Sequence, residues 1–161
     1  MMKIRRLRSG TCSGILALAV LAAVAPRARA AEPISANRIP QNQLIQPETL
    51  HRELEAGRRP LILQVGSRML FDEAHIPGAE YAGPASRPEG LEVLRHRVAG
   101  LPRNRAMVIY CGCCPWEHCP NIGPAWVLLH QMGFTRVRAL YIADNFGADW
   151  VHQGYGAEGV Q

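Results

Sequence analysis

Residues 106–121 read AMVIYCGCCPWEHCPN, an apolar run that passes directly into a cluster of four cysteines. The run at 106–110 has the length and composition of a β-strand buried on both faces of a sheet. A helix is predicted to begin at about Ile122, so the cysteines lie in a loop between a strand end and a helix start. Ligands of open α/β sheets bind at that edge, where unpaired amides and the helix dipole favour an anion.

Further strands and helices alternate on both sides of this segment. Strands are predicted at 44–45, 61–65 and 137–142, and helices at 47–56, 70–74, 89–99, 122–132 and 147–153. Such alternation favours right-handed crossovers and a parallel sheet. We therefore expect an α/β domain with a small parallel β-sheet flanked by helices on both faces.

The first 30 residues have the layout of a secretory signal peptide. Basic residues between positions 3 and 8 precede an apolar run at 15–25, and Ala28-Arg29-Ala30 is a small-residue site suited to cleavage. The run is shorter than the roughly 20 apolar residues that span a bilayer, so we predict no stable membrane anchor. We expect export to the bacterial periplasm or the exterior, an N-terminal arm or linker at 31–43, and one domain at 44–158.

The formal net charge of +5 belongs to this leader rather than to the domain. Six basic residues and no acidic residue lie in positions 1–30, which leaves 12 basic and 13 acidic side chains in the rest of the chain. Those basic side chains are all arginines, and they are scattered along the sequence. A nearly neutral domain without a basic stripe is not expected to bind nucleic acid.

Four of the five cysteines fall within nine residues, at Cys111, Cys113, Cys114 and Cys119. Disulfide frameworks join distant segments, whereas several thiols in one loop indicate catalysis or metal binding. Cys111, at the first loop position, is predicted to have a lowered pKa and to be the nucleophile, and Asn121 is predicted to cap the following helix. The predicted anion-binding loop consists of Gly112, Cys113, Cys114, Trp116, Glu117 and His118.

The chain resembles the rhodanese-like sulfurtransferases over about residues 44–158. The resemblance rests on four features: His75-Ile76-Pro77-Gly78-Ala79, Tyr110-Cys111 at a strand end, the helix before Gly133-Phe134, and the closing Trp150 and Gly154-Tyr155. It implies the fold described above, and it implies that Cys111 takes sulfane sulfur as a persulfide and passes it to a thiol or another nucleophile. The implied partners are a small sulfur-containing anion or persulfide donor and a thiol acceptor or reductant protein; no cofactor is implied.

Three departures from the family pattern concern the site. The family commonly has an arginine five residues after the cysteine, and here Trp116 takes that place, with no arginine between Cys111 and Trp126. The loop is also about five residues longer than usual, and Gln64 and Gly66 replace an aspartate and an arginine. A pocket without the loop arginine lacks a charge-assisted contact of about 1.5–3 kcal/mol, so we expect weak thiosulfate binding.

The additional thiols are compatible with several interpretations. Cys119, across the loop, is the candidate resolving thiol that attacks a persulfide on Cys111, releases sulfide and forms a disulfide. A soft-metal site is the main rival, with Cys111, Cys113, Cys114, Cys119 and His118 as ligands for Cu(I) or Zn(II). The sequence is also compatible with a thiol-redox module, with a structural disulfide from Cys119 to Cys111 or Cys114, and with a non-catalytic binding domain.

Overall fold

The computed structural model describes residues 38–159, and these form a five-stranded sheet with helices on both faces. The strands are β1 (Leu44–Ile45), β2 (Leu61–Gln64), β3 (Glu80–Tyr81), β4 (Met107–Tyr110) and β5 (Val137–Leu140), and the helices are α1 (Pro47–Glu55), α2 (Arg68–Glu73), α3 (Pro88–Val98) and α4 (Ile122–Gln131). The strand order is β1-β5-β4-β2-β3, and every neighbouring pair is parallel. The predicted fold class is confirmed.

The two faces of the sheet bury two separate sets of apolar side chains. On β4, Met107 and Ile109 pack in the cluster that includes residues of α3 and α4. Val108 and Tyr110 point to the opposite face and pack in the cluster that includes Leu50 of α1. Because side chains alternate along a strand, burial on both faces requires an apolar residue at almost every position, as the sequence of this strand shows.

The helices begin at residues that suit an N-terminus. α1 and α3 have proline in their first turn, where the missing N–H would have no intrahelical partner. α2 begins two residues earlier than predicted, because Ser67 Oγ accepts a hydrogen bond from the Leu70 N–H at 3.3 Å. The last predicted helix is a single π-helical turn at Gly147–Val151.

The predicted signal peptide at 1–30 and most of the arm at 31–43 lie outside the described residues. Within residues 38–43, Gln41–Gln43 form a 3₁₀ turn and Ile39 is buried in the core. No helix within residues 38–159 is long and apolar enough to cross a membrane.

A two-pronged ion pair between Glu53 on α1 and Arg138 on β5 ties that helix to the sheet. Arg138 Nη1 and Nη2 donate to the two carboxylate oxygens at 3.0 and 2.7 Å, and Arg58 Nη1 donates to one of them at 3.1 Å. The Glu53 side chain is 14% exposed. The hydrogen bonds from Arg138 hold the pKa of Glu53 below its ordinary value of 4.5. The pair therefore stabilises the fold above pH 4.5, and this stability is lost as the pH falls through the lowered folded pKa.

We expect Glu53→Gln to lower the free energy of unfolding by about 1–3 kcal/mol at pH 7, because the charge-assisted bonds are lost. The difference from wild type should shrink as the pH falls below 4.5, since the wild-type carboxylate then gains a proton. Urea denaturation at pH 7 and pH 3 measures both values. The control is Glu48→Gln, whose exposed contact with Arg52 spans 3.7 Å and should contribute less than about 1 kcal/mol. A loss that is equal at both pH values contradicts the prediction.

Candidate active site

Cys111 follows the last residue of β4 and is only 3% exposed. Gln64, at the end of β2, donates from Nε2 to the Cys111 carbonyl at 3.3 Å and accepts from the Gly66 N–H at 3.1 Å. A Cβ atom on Gly66 would lie 2.9 Å from Cys111 Sγ. The residues that depart from the family pattern at the end of β2 therefore hold the Cys111 backbone and leave room for its thiol.

Cys111, Cys113 and Cys119 form a thiol cluster in which the three Sγ atoms all lie within 4.8 Å of one another. A hydrogen bond joins the Sγ atoms of Cys111 and Cys113 at 3.1 Å. Cys111 and Cys119 are buried and Cys113 is exposed, and all three are free thiols. Cys114 is also a free thiol. Its Sγ lies 3.0 Å from that of Cys113 and 3.6 Å from the His118 carbonyl, but it does not belong to the group of three whose Sγ atoms all lie within 4.8 Å of one another.

The thiol cluster carries its negative charge on Cys119. The neighbouring Cys111 and Cys113 thiols lower the pKa of Cys119 to about 3 against the effect of burial, and the backbone amides of Asn121 and Ile122 lower it further. These two amides belong to the start of α4, where the helix dipole favours an anion.

The predicted lowered pKa of Cys111 is wrong. Contact with Cys113 lowers the pKa of Cys111, but contact with Cys119 and burial outweigh it and raise the pKa to about 12. The physical reason is the path of the loop. The start of α4 acts on the thiol at the end of the loop, and a second negative charge beside Cys119 is unfavourable.

Asn121 holds the thiol of Cys111. It occupies the N-cap position of α4, as predicted, but its side chain makes no capping hydrogen bond. Instead, its Oδ1 accepts from the Ser86 N–H at 2.9 Å and its Nδ2 donates to Cys111 Sγ at 3.2 Å. The expected capping role of this side chain is therefore replaced by contact with the thiol cluster.

A cavity of about 420 Å³ opens beside Cys111 at the carboxyl edge of the sheet. It is lined by the first residues of the cysteine loop, by one face of α2 and by the turn after β5, and no described lining residue is arginine or lysine. The charged or titratable side chains beside the thiols there include Glu73 and His152. Two other cavities, of about 620 and 530 Å³, are larger, but both are lined by Arg59 and Pro60 before β2 and neither has a cysteine in its lining.

The structure divides the predicted anion-binding loop between two places. Gly112 and Cys113 line the cavity beside Cys111, whereas Cys114, Trp116, Glu117 and His118 are not in its lining. The Trp116 N–H donates to the Ala143 carbonyl at 3.0 Å, and its ring packs on Tyr141 with centroids 5.1 Å apart. The His118 N–H donates to the Pro115 carbonyl at 2.9 Å. The additional residues of the loop therefore pack against the end of β5. The Trp116 and His118 amides are hydrogen-bonded within the protein and do not face the cavity.

The turn after β5 supplies part of the cavity that sequence reasoning did not assign to the site. Phe146 donates its N–H to the Gly112 carbonyl at 3.1 Å, and a Cβ on Gly112, whose φ is +75°, would lie 2.7 Å from Phe146 Cβ. His152 lies at the end of the same turn and also lines the cavity. The position of this turn in the sequence could have indicated its role, because residues that follow neighbouring parallel strands meet at one edge of the sheet.

The Arg68 side chain is engaged away from the cavity. Its Nε lies 3.0 Å from Asp72 Oδ1, and its guanidinium lies 4.9 Å from the centre of the Tyr81 ring. Arg68 therefore does not supply the positive charge that the cysteine loop lacks.

No protein-family profile and no curated protein sequence matches the chain. Solved structures do match it. The rhodanese-like domain of a protein from Anabaena sp., determined in solution by NMR, is 25% identical with a TM-score of 0.57, and the match covers 73% of this chain and 80% of that one. A crystal structure of the same Anabaena protein gives 25% identity and a TM-score of 0.56 over 72% and 92% of the two chains.

A Saccharomyces cerevisiae protein, described as a homolog of single-domain rhodanese and the Cdc25 phosphatase catalytic domain, is 20% identical with a TM-score of 0.50. That match covers 74% of this chain and 88% of the yeast chain, and it supports the fold alone.

Proposed function

Because the solved structures that match this chain at 25% identity include a rhodanese-like domain, we propose that the chain is a member of that family and a sulfurtransferase or persulfide carrier in which Cys111 accepts sulfane sulfur. The observation that carries the proposal is the position of Cys111. It lines the 420 Å³ cavity at the sheet edge and also belongs to the thiol cluster. A sulfur donor in the cavity would thus meet a thiol that has a proton acceptor and a second thiol beside it.

Cys119 is the proton acceptor in this proposal. Cys111 has to lose its proton before it attacks, and the Cys119 thiolate lies within 4.8 Å of it. Transfer of that proton leaves the total charge of the cluster unchanged and moves it to Cys111, where Asn121 Nδ2 donates at 3.2 Å. Because the surroundings favour the charge on Cys119, this transfer is uphill, and attack proceeds from the minor form in which Cys111 is the thiolate. A nucleophile beside a base is a general means of activating a thiol.

The Cys111 thiolate then attacks the sulfane sulfur of the donor. An S–S bond forms between Cys111 and that sulfur, the donor's S–S bond breaks, and the rest of the donor leaves with the electron pair, as a thiolate or as sulfite. The described lining contains no arginine or lysine. We therefore propose that a persulfide donor with a single charge is preferred over doubly charged thiosulfate.

Cys113 is the resolving thiol that we propose. Its Sγ lies 3.1 Å from that of Cys111, and it is exposed. Its attack on Cys111 Sγ forms a Cys111–Cys113 disulfide and releases hydrosulfide, so the sulfane sulfur is reduced while two thiols are oxidised. We assign this step to Cys113 rather than to the predicted Cys119, because Cys119 serves as the proton acceptor. A dithiol reductant protein returns the disulfide to thiols, and export through residues 1–30 would place that reductant outside the cytoplasm.

The test is mass spectrometry of the reduced full chain after exposure to a small organic persulfide, inorganic polysulfide or thiosulfate. In the wild type we expect the Cys111–Cys113 disulfide together with a residual adduct of one sulfur atom on the peptide that contains Cys111, with thiosulfate the weakest donor. The adduct should accumulate in Cys113→Ser, because the resolving thiol is absent. His118→Ala is the control and should behave as wild type, because that side chain is exposed and does not line the cavity. No adduct with any donor, or an adduct that persists in Cys111→Ser, contradicts the proposal.

A further inference from the structure

We infer that Cys111, Cys113 and Cys119 form a three-coordinate thiolate site for Cu(I). This site goes beyond sulfur transfer, since it requires no sulfur donor and uses the thiols as ligands. The first observation is their mutual distance, because all three Sγ atoms lie within 4.8 Å of one another on one loop.

The spacing suits a metal at the centre of the triangle. With metal–sulfur bonds of about 2.3 Å, the sulfurs of a trigonal site lie about 4.0 Å apart. The Sγ–Sγ distances in the thiol cluster include one of 3.1 Å and none above 4.8 Å, so they lie on either side of that value. Small rotations of the three side chains therefore complete the site while the loop backbone stays in place.

The ligand set selects the metal. Within residues 38–159, the group contains no carboxylate and no imidazole. His118 falls outside it. Cys114 Sγ lies 3.0 Å from Cys113 Sγ but not within 4.8 Å of all three cluster atoms, so we assign the site to the three thiols that share one centre. Structural zinc sites are almost always four-coordinate, whereas soft thiolate ligands favour Cu(I), which accepts low coordination.

The surroundings compensate the charge of the loaded site. Three thiolates and one Cu(I) have a net charge of −2, and the side-chain amide of Asn121 donates to Cys111 Sγ at 3.2 Å. The Ser86 N–H fixes the orientation of that amide through Asn121 Oδ1. The backbone amides of Asn121 and Ile122, at the start of α4, favour negative charge on Cys119. Such hydrogen bonds to the ligands commonly change metal affinity by about 10–100-fold.

Exposure differs among the three ligands in a way that suits entry and retention. Cys111 and Cys119 are 3% and 8% exposed, whereas Cys113 is exposed. Cys113 therefore offers the first contact for an incoming ion, and the two buried thiols hold the ion away from water.

The test uses the reduced full chain under anaerobic conditions, with Cu(I) supplied as its complex with the chelator bicinchoninate. We expect one Cu(I) per chain, with X-ray absorption showing three sulfur neighbours at about 2.3 Å and no nitrogen or oxygen neighbour. Cys113→Ser and Cys119→Ser should each lower the affinity by at least about 100-fold, and Asn121→Ala by about 10-fold or more. The control His118→Ala should keep the wild-type affinity. Cys114→Ser distinguishes three sulfur ligands from four, because Cys114 Sγ lies 3.0 Å from that of Cys113, and it should also keep the wild-type affinity.

Several results would overturn the inference: failure to compete with the chelator, a fourth sulfur or a nitrogen neighbour, or an equal loss in Cys114→Ser. The absorption measurement needs no variant, so a variant that fails to fold leaves the test intact. Sulfur loading is measured on metal-free protein, and copper binding is measured in the absence of a sulfur donor. The two proposals can therefore fail separately.

Discussion

A Cys119→Ser variant is expected to have at least about 100-fold less thiolate in its cysteine loop at pH 5 than the wild type. In the wild type, the Cys111 and Cys113 thiols and the amides at the start of α4 lower the pKa of Cys119 to about 3. A thiol is ionised above its pKa, so the wild-type cluster is charged at pH 5. Serine does not ionise in this range. In the variant, the negative charge therefore has to form on one of the remaining cysteines, none of which is stabilised by the backbone amides at the start of α4.

The ultraviolet absorbance of the thiolate, followed from pH 3 to pH 10, measures this difference. Alkylation of the cysteine loop by iodoacetamide reports the same charge as a rate, and peptide mapping should identify Cys119 as the modified residue in the wild type at pH 5. Below its new pKa, the variant should lose reactivity about tenfold per pH unit, whereas the wild type stays reactive at pH 5. His118→Ala, which replaces an exposed side chain outside the thiol cluster, is the control and should follow the wild-type curve. Titration curves of Cys119→Ser and wild type that superimpose would show that Cys119 does not carry the charge.

A Gly90→Ala variant is expected to lose at least about 3 kcal/mol of unfolding free energy, which is a severe effect for one methyl group. Gly90 lies in the first turn of α3 and is buried. A Cβ atom there would collide with the carbonyl group of Pro84, and it would also lie 2.8 Å from the Pro84 nitrogen. Backbone atoms cannot rotate away as a side chain can, so α3 would have to move relative to the preceding segment.

Denaturation in urea, monitored by circular dichroism, tests this prediction. The matched control is Gly100→Ala, just beyond the end of α3, because a Cβ atom at that position meets nothing within 4 Å. Alanine in open space should change the stability by no more than about 1 kcal/mol. Similar stabilities for the two variants would contradict the collision with Pro84.

The central strands and the position of Cys111 could be predicted because they depend on local composition. β2 and β4 are buried at every residue, and burial on both faces produces continuous apolar runs in the sequence. β3 gave no such signal, because it has two residues, Glu80 and Tyr81, that are each only half-buried. Its place in the sheet is fixed by pairing with β2, which is a contact between distant residues.

The charge distribution of the site was predicted incorrectly because it depends on how the loop returns on itself. The sequence indicates a helix start near the cysteines, but it does not indicate which thiol lies beside that start. Trp116 bonds to the Ala143 carbonyl, and this contact with the end of β5 joins residues far apart in the chain. The contact between Asn121 and Ser86 is equally distant, and it turns an expected helix cap into a hydrogen-bond donor to Cys111.

The short separation between Cys111 and Cys113 also determines which thiol attacks a persulfide on Cys111 first, Cys113 or a thiol in solution. Two sulfur atoms held 3.1 Å apart on one anchored loop meet at an effective concentration that can exceed any real thiol concentration by orders of magnitude. A persulfide on Cys111 would then encounter Cys113 far more often than a free thiol dissolved at millimolar levels. The dominant product should be hydrosulfide rather than a persulfide on a small external thiol, and turnover should depend on the supply of reductant.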